Sequence, residues 1–284
     1  TALATALDNA FTLSGAGVSS SANAGTVTWN FSASNDAANY LAAGQVVTAT
    51  YRITITDGAN ATTTRDVTIT LTGANDAPVI SVATGDARTA SLTETNAALA
   101  GSGTLTFTDV DVANTVTATV DSVVLSGVQG SLSSSDVLGM LTFASNGVVA
   151  RTSTSAQLAW NFASGSQKFD FLSAGQTLTL TYTVKATDSS AATGTNTVAI
   201  TITGTNDVPV IAAIANTSLV EQTDTGALTS NIDVTFTDLD LSDTGHSALV
   251  TAVTASGITA GLGLTDAQLK ALVAPGTVTK ATGS

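Results

Sequence analysis

The chain has no cysteine among its 284 residues. Disulfides, thiolate metal sites and a cysteine nucleophile are therefore excluded. Histidine occurs once, at position 246. Basic residues are scarce, 8 Lys plus Arg against 21 Asp plus Glu, and the net charge of −13 would repel a phosphate backbone. Nucleic acid is not an expected partner. Aromatic residues make up only 5%. No apolar run approaches the roughly 20 residues that a membrane-spanning helix needs, so a soluble chain without membrane insertion is expected. The opening "TALATALDNAF" lacks the basic segment and apolar core of a signal peptide. A mature chain, a fragment or another export route is expected.

What is present is apolar but small: hydrophobic residues reach 43%, and Val, Ala, Ile and Leu dominate them. Thr and Val are frequent and long charged helix-forming stretches are missing, which favours β-structure because branched side chains fit a pleated surface. The length suffices for about two domains with cores of their own.

The sequence also repeats. "TGANDAPVI" at 72–80 returns as "TGTNDVPVI" at 203–211. "WNFSASNDAANYLAAGQVVTATYRITITDG" from Trp29 aligns without a gap on "WNFASGSQKFDFLSAGQTLTLTYTVKATDS" from Trp160, at the same offset of 131. "GTLTFTDVDVAN" (103–114) returns as "IDVTFTDLDLSD" (232–243) at an offset of 129. "SSDVLGML" (134–141) answers "LTDAQLKAL" (264–272) and predicts a short helix with an Asp-containing start. A period this long is too large for a solenoid unit and implies self-sufficient domains in a row.

Tyr51, Ile53 and Ile55 alternate with polar residues, "DGAN" turns, and Val67, Ile69 and Leu71 alternate again before Asn75, Asp76 and Pro78. Tyr182, Val184, Val198, Ile200 and Ile202 repeat the pattern before Asn206, Asp207 and Pro209. Each is a predicted hairpin that runs into an N-D-x-P connector, straightened because proline fixes φ and extends the residue before it. With one Trp per copy as a core anchor, the architecture expected is all-β: tandem Ig-like or cadherin-like β-sandwich domains joined by short linkers. The corresponding division is 1–77 as the C-terminal part of a first repeat, 78–208 as a complete repeat, and 209–284 as the N-terminal part of a following one. A frame with domains starting near residues 1 and 132 fits the strand pattern as well.

The acids are concentrated. Asp109, Asp111 and Asn114 follow one predicted strand, and Asp238, Asp240 and Asp243 follow its counterpart. Residues i and i+2 of an extended segment share a face, so each D-x-D sets two carboxylates side by side, an arrangement that a cation relieves. Oxygen donors without thiolates suit Ca²⁺, which takes six to eight oxygens, better than Mg²⁺ or zinc. The plainer reading is that these are solvated loop acids. Asp57 and Asp188, each closing a strand before a turn, also read as turn formers, and Asn75 and Asp76 as caps.

The linker "GANDAPVI", the "FTDVD" after a strand, the run "WNF…YLAAGQ…YRITITDG" and the period near 131 together resemble the VCBS repeats of large bacterial RTX-type surface adhesins exported by type I secretion. The layout is also similar to cadherin domain junctions. The resemblance implies Ca²⁺ at the joints. A first joint would use Asn75, Asp76, Asp109, Asp111, Asn114 and Asp188. A second would use Asn206, Asp207, Asp238, Asp240 and Asp243, with Glu94 or Asp170 reaching down from the preceding domain. It further implies an extracellular, bacterial cell-surface protein that acts as an extender stiffened by Ca²⁺ in cell adhesion or biofilm formation. Its partners would be neighbouring repeats of the same chain, with cell-surface glycans or proteins reached through other regions of the full protein. The Gly-rich nonapeptide repeats found at the ends of such adhesins are missing, since the chain has no Gly-Gly pair.

Two other function classes fit the sequence less well. Catalysis is not expected: no triad can be assembled around His246, read as a lone surface histidine, and paired carboxylates repeated on every domain would be odd active sites. A Ca²⁺-dependent carbohydrate- or protein-binding module is the alternative. It calls for exposed aromatics, whereas the Tyr and Trp residues are expected in core slots.

Overall fold

The computed structural model describes residues 2–15, 24–145, 147–150, 153–223, 225–257, 259 and 263–279. The first segment carries helix α1 (Ala2–Ala10) and strands β1 (Phe11–Ser14), β2 (Thr28–Phe31), β3 (Val46–Thr56) and β4 (Thr62–Thr72). The middle segment carries β5 (Val79–Ser81), β6 (Thr89–Thr93), β7 (Ala100–Thr108), β8 (Val116–Gly127), α2 (Ser134–Val137), β9 (Leu141–Phe143), β10 (Gly147–Val149), β11 (Ser155–Ala163), β12 (Thr177–Asp188) and β13 (Thr193–Thr203). The last segment has β14 (Val210–Ile211), β15 (Phe236–Thr237) and α3 (Asp266–Ala271).

The middle segment is a closed sandwich of a five-stranded sheet, β10-β8-β12-β13-β6, and a four-stranded sheet, β5-β7-β11-β9. All its pairings are antiparallel except β6 with β13. Alternation drives it: Leu178, Leu180, Tyr182, Val184 and Ala186 of β12 point inward, and the residues between them, Thr179, Thr181, Thr183 and Lys185, point out. Trp160 lies wholly inside and donates its indole N–H to the carbonyl of Ala87 at 2.8 Å. The Tyr182 hydroxyl donates to the Val137 carbonyl at 2.9 Å, which ties α2 to the core. α2 starts with the expected acid, Asp136 closing a capping box with Ser133.

In the first segment β3 and β4 pair in the register of β12 and β13: Val46 faces Thr72 as Thr177 faces Thr203. The hairpin's turn is built as expected, with the Asp57 carboxylate accepting from the amides of Ala59 and Ala61. Its inward residues Val47, Ala49, Tyr51, Val67, Ile69 and Leu71 are only half-buried, however, and Ile55 is exposed. Two aromatic expectations are corrected here. Trp29 is 43% exposed, because no strand among the described residues covers it as β7 covers Trp160, and it stacks on Phe11 instead. Tyr40 is exposed as well, since it stands in the loop before β3 rather than on a strand. Helix α1, which the sequence reading did not foresee, is held by the Tyr51 hydroxyl on the Leu7 carbonyl at 2.8 Å.

The repeated nine residues have a physical cause. The amide of Gly73 donates to the Gln45 carbonyl at 2.8 Å, and the amide of Gly44 to the Gly73 carbonyl at 3.2 Å. Gly204, Gln176 and Gly175 make the same clasp at 2.9 and 3.1 Å. A Cβ on Gly204 would stand 2.0 Å from the Leu172 carbonyl oxygen, and one on Gly73 2.2 Å from that of Leu41. Only glycine lets the linker lie against the "AGQ" loop, so the two motifs occur together.

Candidate metal centre

At the first joint the clasped linker presents Asn75 and Asp76 to the loop that follows β7. The Asp76 amide donates to Asp111 Oδ2 at 2.9 Å, and the Asp111 amide to Asp109 Oδ1 at 2.9 Å. Asn75 Nδ2 donates to Asp188 Oδ2 at 2.7 Å, and Asn114 Nδ2 to Asn75 Oδ1 at 2.9 Å. Asp188 does both jobs read for it: its Oδ1 takes the turn amides of Ser190 and Ala192, and its Oδ2 faces the joint. All six residues expected at this joint are thus brought together, with Asp109, Asp111, Asn114 and Asp188 buried.

At the second joint the Asp207 amide donates to Asp240 Oδ2 at 2.8 Å and the Asp240 amide to Asp238 Oδ1 at 3.0 Å, which repeats the first. Carboxylate oxygens of Asp238, Asp240 and Asp243 lie within 4.8 Å of one another. Asn206 Nδ2 turns back onto the Asp207 carbonyl, as Asn75 does onto that of Asp76. Glu94 is completely buried and accepts from the Thr205 hydroxyl at 2.9 Å and from the Asn96 amide. Asn96 Nδ2 donates to Asp207 Oδ1 at 2.5 Å. The charges of Glu94 and Asp207 both act on Asp170, and that of Lys168 opposes them. Phe169, which precedes Asp170, has φ of 68° although it is bulky and fully buried, so the backbone there is strained.

The buried side-chain oxygens without a hydrogen-bond partner include Asp109 Oδ2, Asp111 Oδ1, Asp170 Oδ1 and Asp207 Oδ2, all from the expected set. Burial raises Asp109, Asp111, Asp170 and Asp240 above the usual aspartate range, and neighbouring carboxylates push each further the same way. For Asp109 these are Asp111, Asp188 and Asp76, and no basic group opposes them. Buried anions aimed at one another with free lone pairs are unfavourable alone and complementary to a hard cation. The residues present fit Ca²⁺ on this ground: the donors are oxygens, and the orphaned ones are carboxylate oxygens.

The two joints are unequal. At the position of Asp170, the first copy has Asn39, which bonds to Asn35 rather than to the acids. His246, read from sequence as a lone surface residue, is instead partly buried, with Nε2 2.6 Å from Asp238 Oδ2. Sequence reasoning also missed Asn96 and Thr205: Thr205 lies inside the repeated nine residues, but its counterpart in the first copy is Ala74, and Asn96 has no identical counterpart to mark it. It missed a repeated main-chain bridge too: the amides of Val112 and Leu241 donate to the carbonyls of Tyr40 and Phe171 at 3.3 and 3.4 Å. The Ser173 and Ser242 hydroxyls, 2.7 Å apart, add to the second joint.

No protein-family model matches the chain, and no curated protein matches it. Among solved structures it is similar to the CooA pilin subunit of enterotoxigenic Escherichia coli, with 15% identity, TM-score 0.30 and coverage of 45% of this chain and 99% of that one. It is also similar to CfaE, the adhesive subunit of CFA/I fimbria of enterotoxigenic E. coli, with 11% identity, TM-score 0.32 and coverage of 62% of each chain. A third likeness is to a protocadherin fragment, PcdhgB3 EC1-4, with 13% identity and TM-score 0.35. That match covers 88% of this chain but 54% of the protocadherin's length. These scores are too low to carry a conclusion about function. The assignment to the all-β class rests on the strands themselves. No helix among the described residues is long and apolar enough to cross a membrane.

Proposed function

We propose that the chain is a structural extender of a secreted bacterial surface adhesin, in which Ca²⁺ at the joints fixes each repeat against the next. One observation carries the reading: buried carboxylate oxygens without partners collect where a linker, the loop after a strand and a neighbouring copy meet. Asn75, Asp76, Asp109, Asp111, Asn114 and Asp188 would hold the ion at the first joint. Glu94, Asp170, Asn206, Asp207, Asp238, Asp240 and Asp243 would do so at the second. The cation supplies the positive charge that the clustered acids lack. The chain's own part is to hold the acids in place through the clasps at Gly73 and Gly204, so that charge neutralisation stiffens the connection between copies. Weak sites fill at extracellular calcium but stay empty at cytosolic levels, so the chain would be loose before export and rigid after it. The resemblance of the linker and strand motifs to VCBS repeats supports the adhesin setting, export by type I secretion and a place in cell adhesion or biofilm. Small-angle X-ray scattering tests it: the maximum dimension is expected to lengthen and sharpen when chelator is replaced by millimolar calcium. A profile indifferent to the exchange would overturn the proposal.

A further inference from the structure

The two joints differ in one donor atom, and the structure assigns His246 to the second of them as a nitrogen ligand for a divalent transition ion of the zinc class. At the first joint Asp109 Oδ1 accepts from the Asp111 amide, and its Oδ2 is buried without a partner. At the second, Asp238 Oδ1 accepts from the Asp240 amide in the same way, but Asp238 Oδ2 meets His246 Nε2 at 2.6 Å. The two side chains are 13% (His246) and 1% (Asp238) exposed, so the contact lies inside the joint. Phe236 of β15 packs on the imidazole, with ring centroids 5.1 Å apart, and so holds the ring in place. An imidazole nitrogen thus stands where the first joint keeps a bare carboxylate oxygen.

Three carboxylates converge on that contact, since oxygens of Asp238, Asp240 and Asp243 lie within 4.8 Å of one another. A separate sign that a cation belongs here comes from Asp207 on the linker. Asp207 is 4% exposed, its Oδ2 has no hydrogen-bond partner, and its charge acts on Asp240. The charges felt by Asp240 are those of Asp243, Asp207 and Asp238, all negative. Calcium takes oxygen ligands and gains little from a nitrogen, whereas zinc and neighbouring first-row ions accept imidazole and carboxylate together. On a tetrahedral ion a ligating nitrogen and oxygen lie about 3.3 Å apart, so His246 and Asp238 need only open from 2.6 Å to share one. The assignment rests on the reading that the acids of the second joint face a cation, but not on that cation being calcium. The first joint, built from oxygens alone, answers to calcium; the second is held by a transition ion as well.

The single histidine makes the test direct, because in protein made without a histidine tag every imidazole signal belongs to His246. In proton NMR of the whole chain in calcium-free buffer, stoichiometric zinc should move the imidazole C–H signals. Cobalt(II), which is paramagnetic, should throw them outside the ordinary aromatic range. By titration calorimetry, His246→Asn should bind zinc at least about tenfold more weakly, the loss that even an outer-shell partner of a metal ligand brings. Asn keeps a hydrogen-bond donor for Asp238, so a purely structural histidine would leave zinc binding as it was. Imidazole signals that ignore both ions, or His246→Asn binding zinc as tightly as wild type, overturn the assignment. The NMR measurement on wild type decides it even where the variant fails to fold. Calcium calorimetry on wild type, with zinc absent, reports on the joint reading separately. Calcium bound with zinc ignored sinks the role of His246 alone, and zinc bound through His246 with calcium ignored sinks the calcium reading alone.

Discussion

Replacing Asp111 with Asn should change the sign of its effect with calcium. Asp111 is buried, its Oδ1 has no partner, and its Oδ2 accepts from the Asp76 amide and from Asn114. In chelator its charge faces those of Asp76 and Asp188 without a counter-ion, and burial already disfavours it, so the neutral amide should raise the melting temperature. In calcium the same charge is a ligand, and its loss should lower it. The size follows from linkage. With 1 mM calcium and a dissociation constant near 10⁻⁴ M, a filled site stabilises by about 1.4 kcal/mol. Both clusters draw on the middle sandwich, one through Asp109, Asp111 and Asp188 and the other through Glu94, Asp170 and Asp207. The two together should therefore give about 3 kcal/mol, or roughly 10 °C for a domain of this size. Losing one carboxylate ligand weakens its site about tenfold, which removes most of that site's share. Differential scanning calorimetry of both proteins in chelator and in calcium reads all four values. Equal melting of wild type with and without calcium, or Asp111→Asn shifting the same way in both conditions, would refute the reasoning.

Other expectations follow from the same geometry. Gly204→Ala should cost about 1–3 kcal/mol in chemical denaturation, because the added carbon meets the Leu172 carbonyl and opens the clasp; no loss would mean the linker does not seat there. Tyr182→Phe should cost about 1 kcal/mol by removing the bond to the Val137 carbonyl at a buried site, as measured by urea unfolding. Acid response should have two opposite parts in chelator. Burial pushes Asp86 up, but the hydroxyls of Thr106 and Thr104, the Ala83 amide and Gln157 outweigh it and hold it below the usual aspartate range. Its contribution is then present above about pH 4 and lost as pH falls through its lowered value. Asp109, Asp111, Asp170 and Asp240 are raised, so they weaken the fold at neutral pH, and that penalty fades as pH falls toward 4. Metal-free protein should accordingly gain stability on mild acidification, and Asp86→Asn should remove only the loss at lower pH. Melting curves between about pH 3 and pH 7 check both.

The sequence by itself determined what depends on near neighbours. Alternation with a period of two wrote β3, β4, β12 and β13 and their inward faces, and repetition at a constant offset gave both hairpins one register. The pairing of an N-D-x-P linker with a D-x-D loop was legible because both recur. Tertiary structure alone decided which of these residues are inside and which acids meet. Trp29 and Trp160 open the same motif, yet one is exposed and the other wholly buried, since burial is a property of the covering strands and not of the motif. Asn75 reaches Asp188 across 113 positions, and Asn96 reaches Asp207 across 111. Asn96, Thr205 and His246 sit at places where one copy differs from the other, so no repetition marks them, and only the folded chain sets them beside the acids.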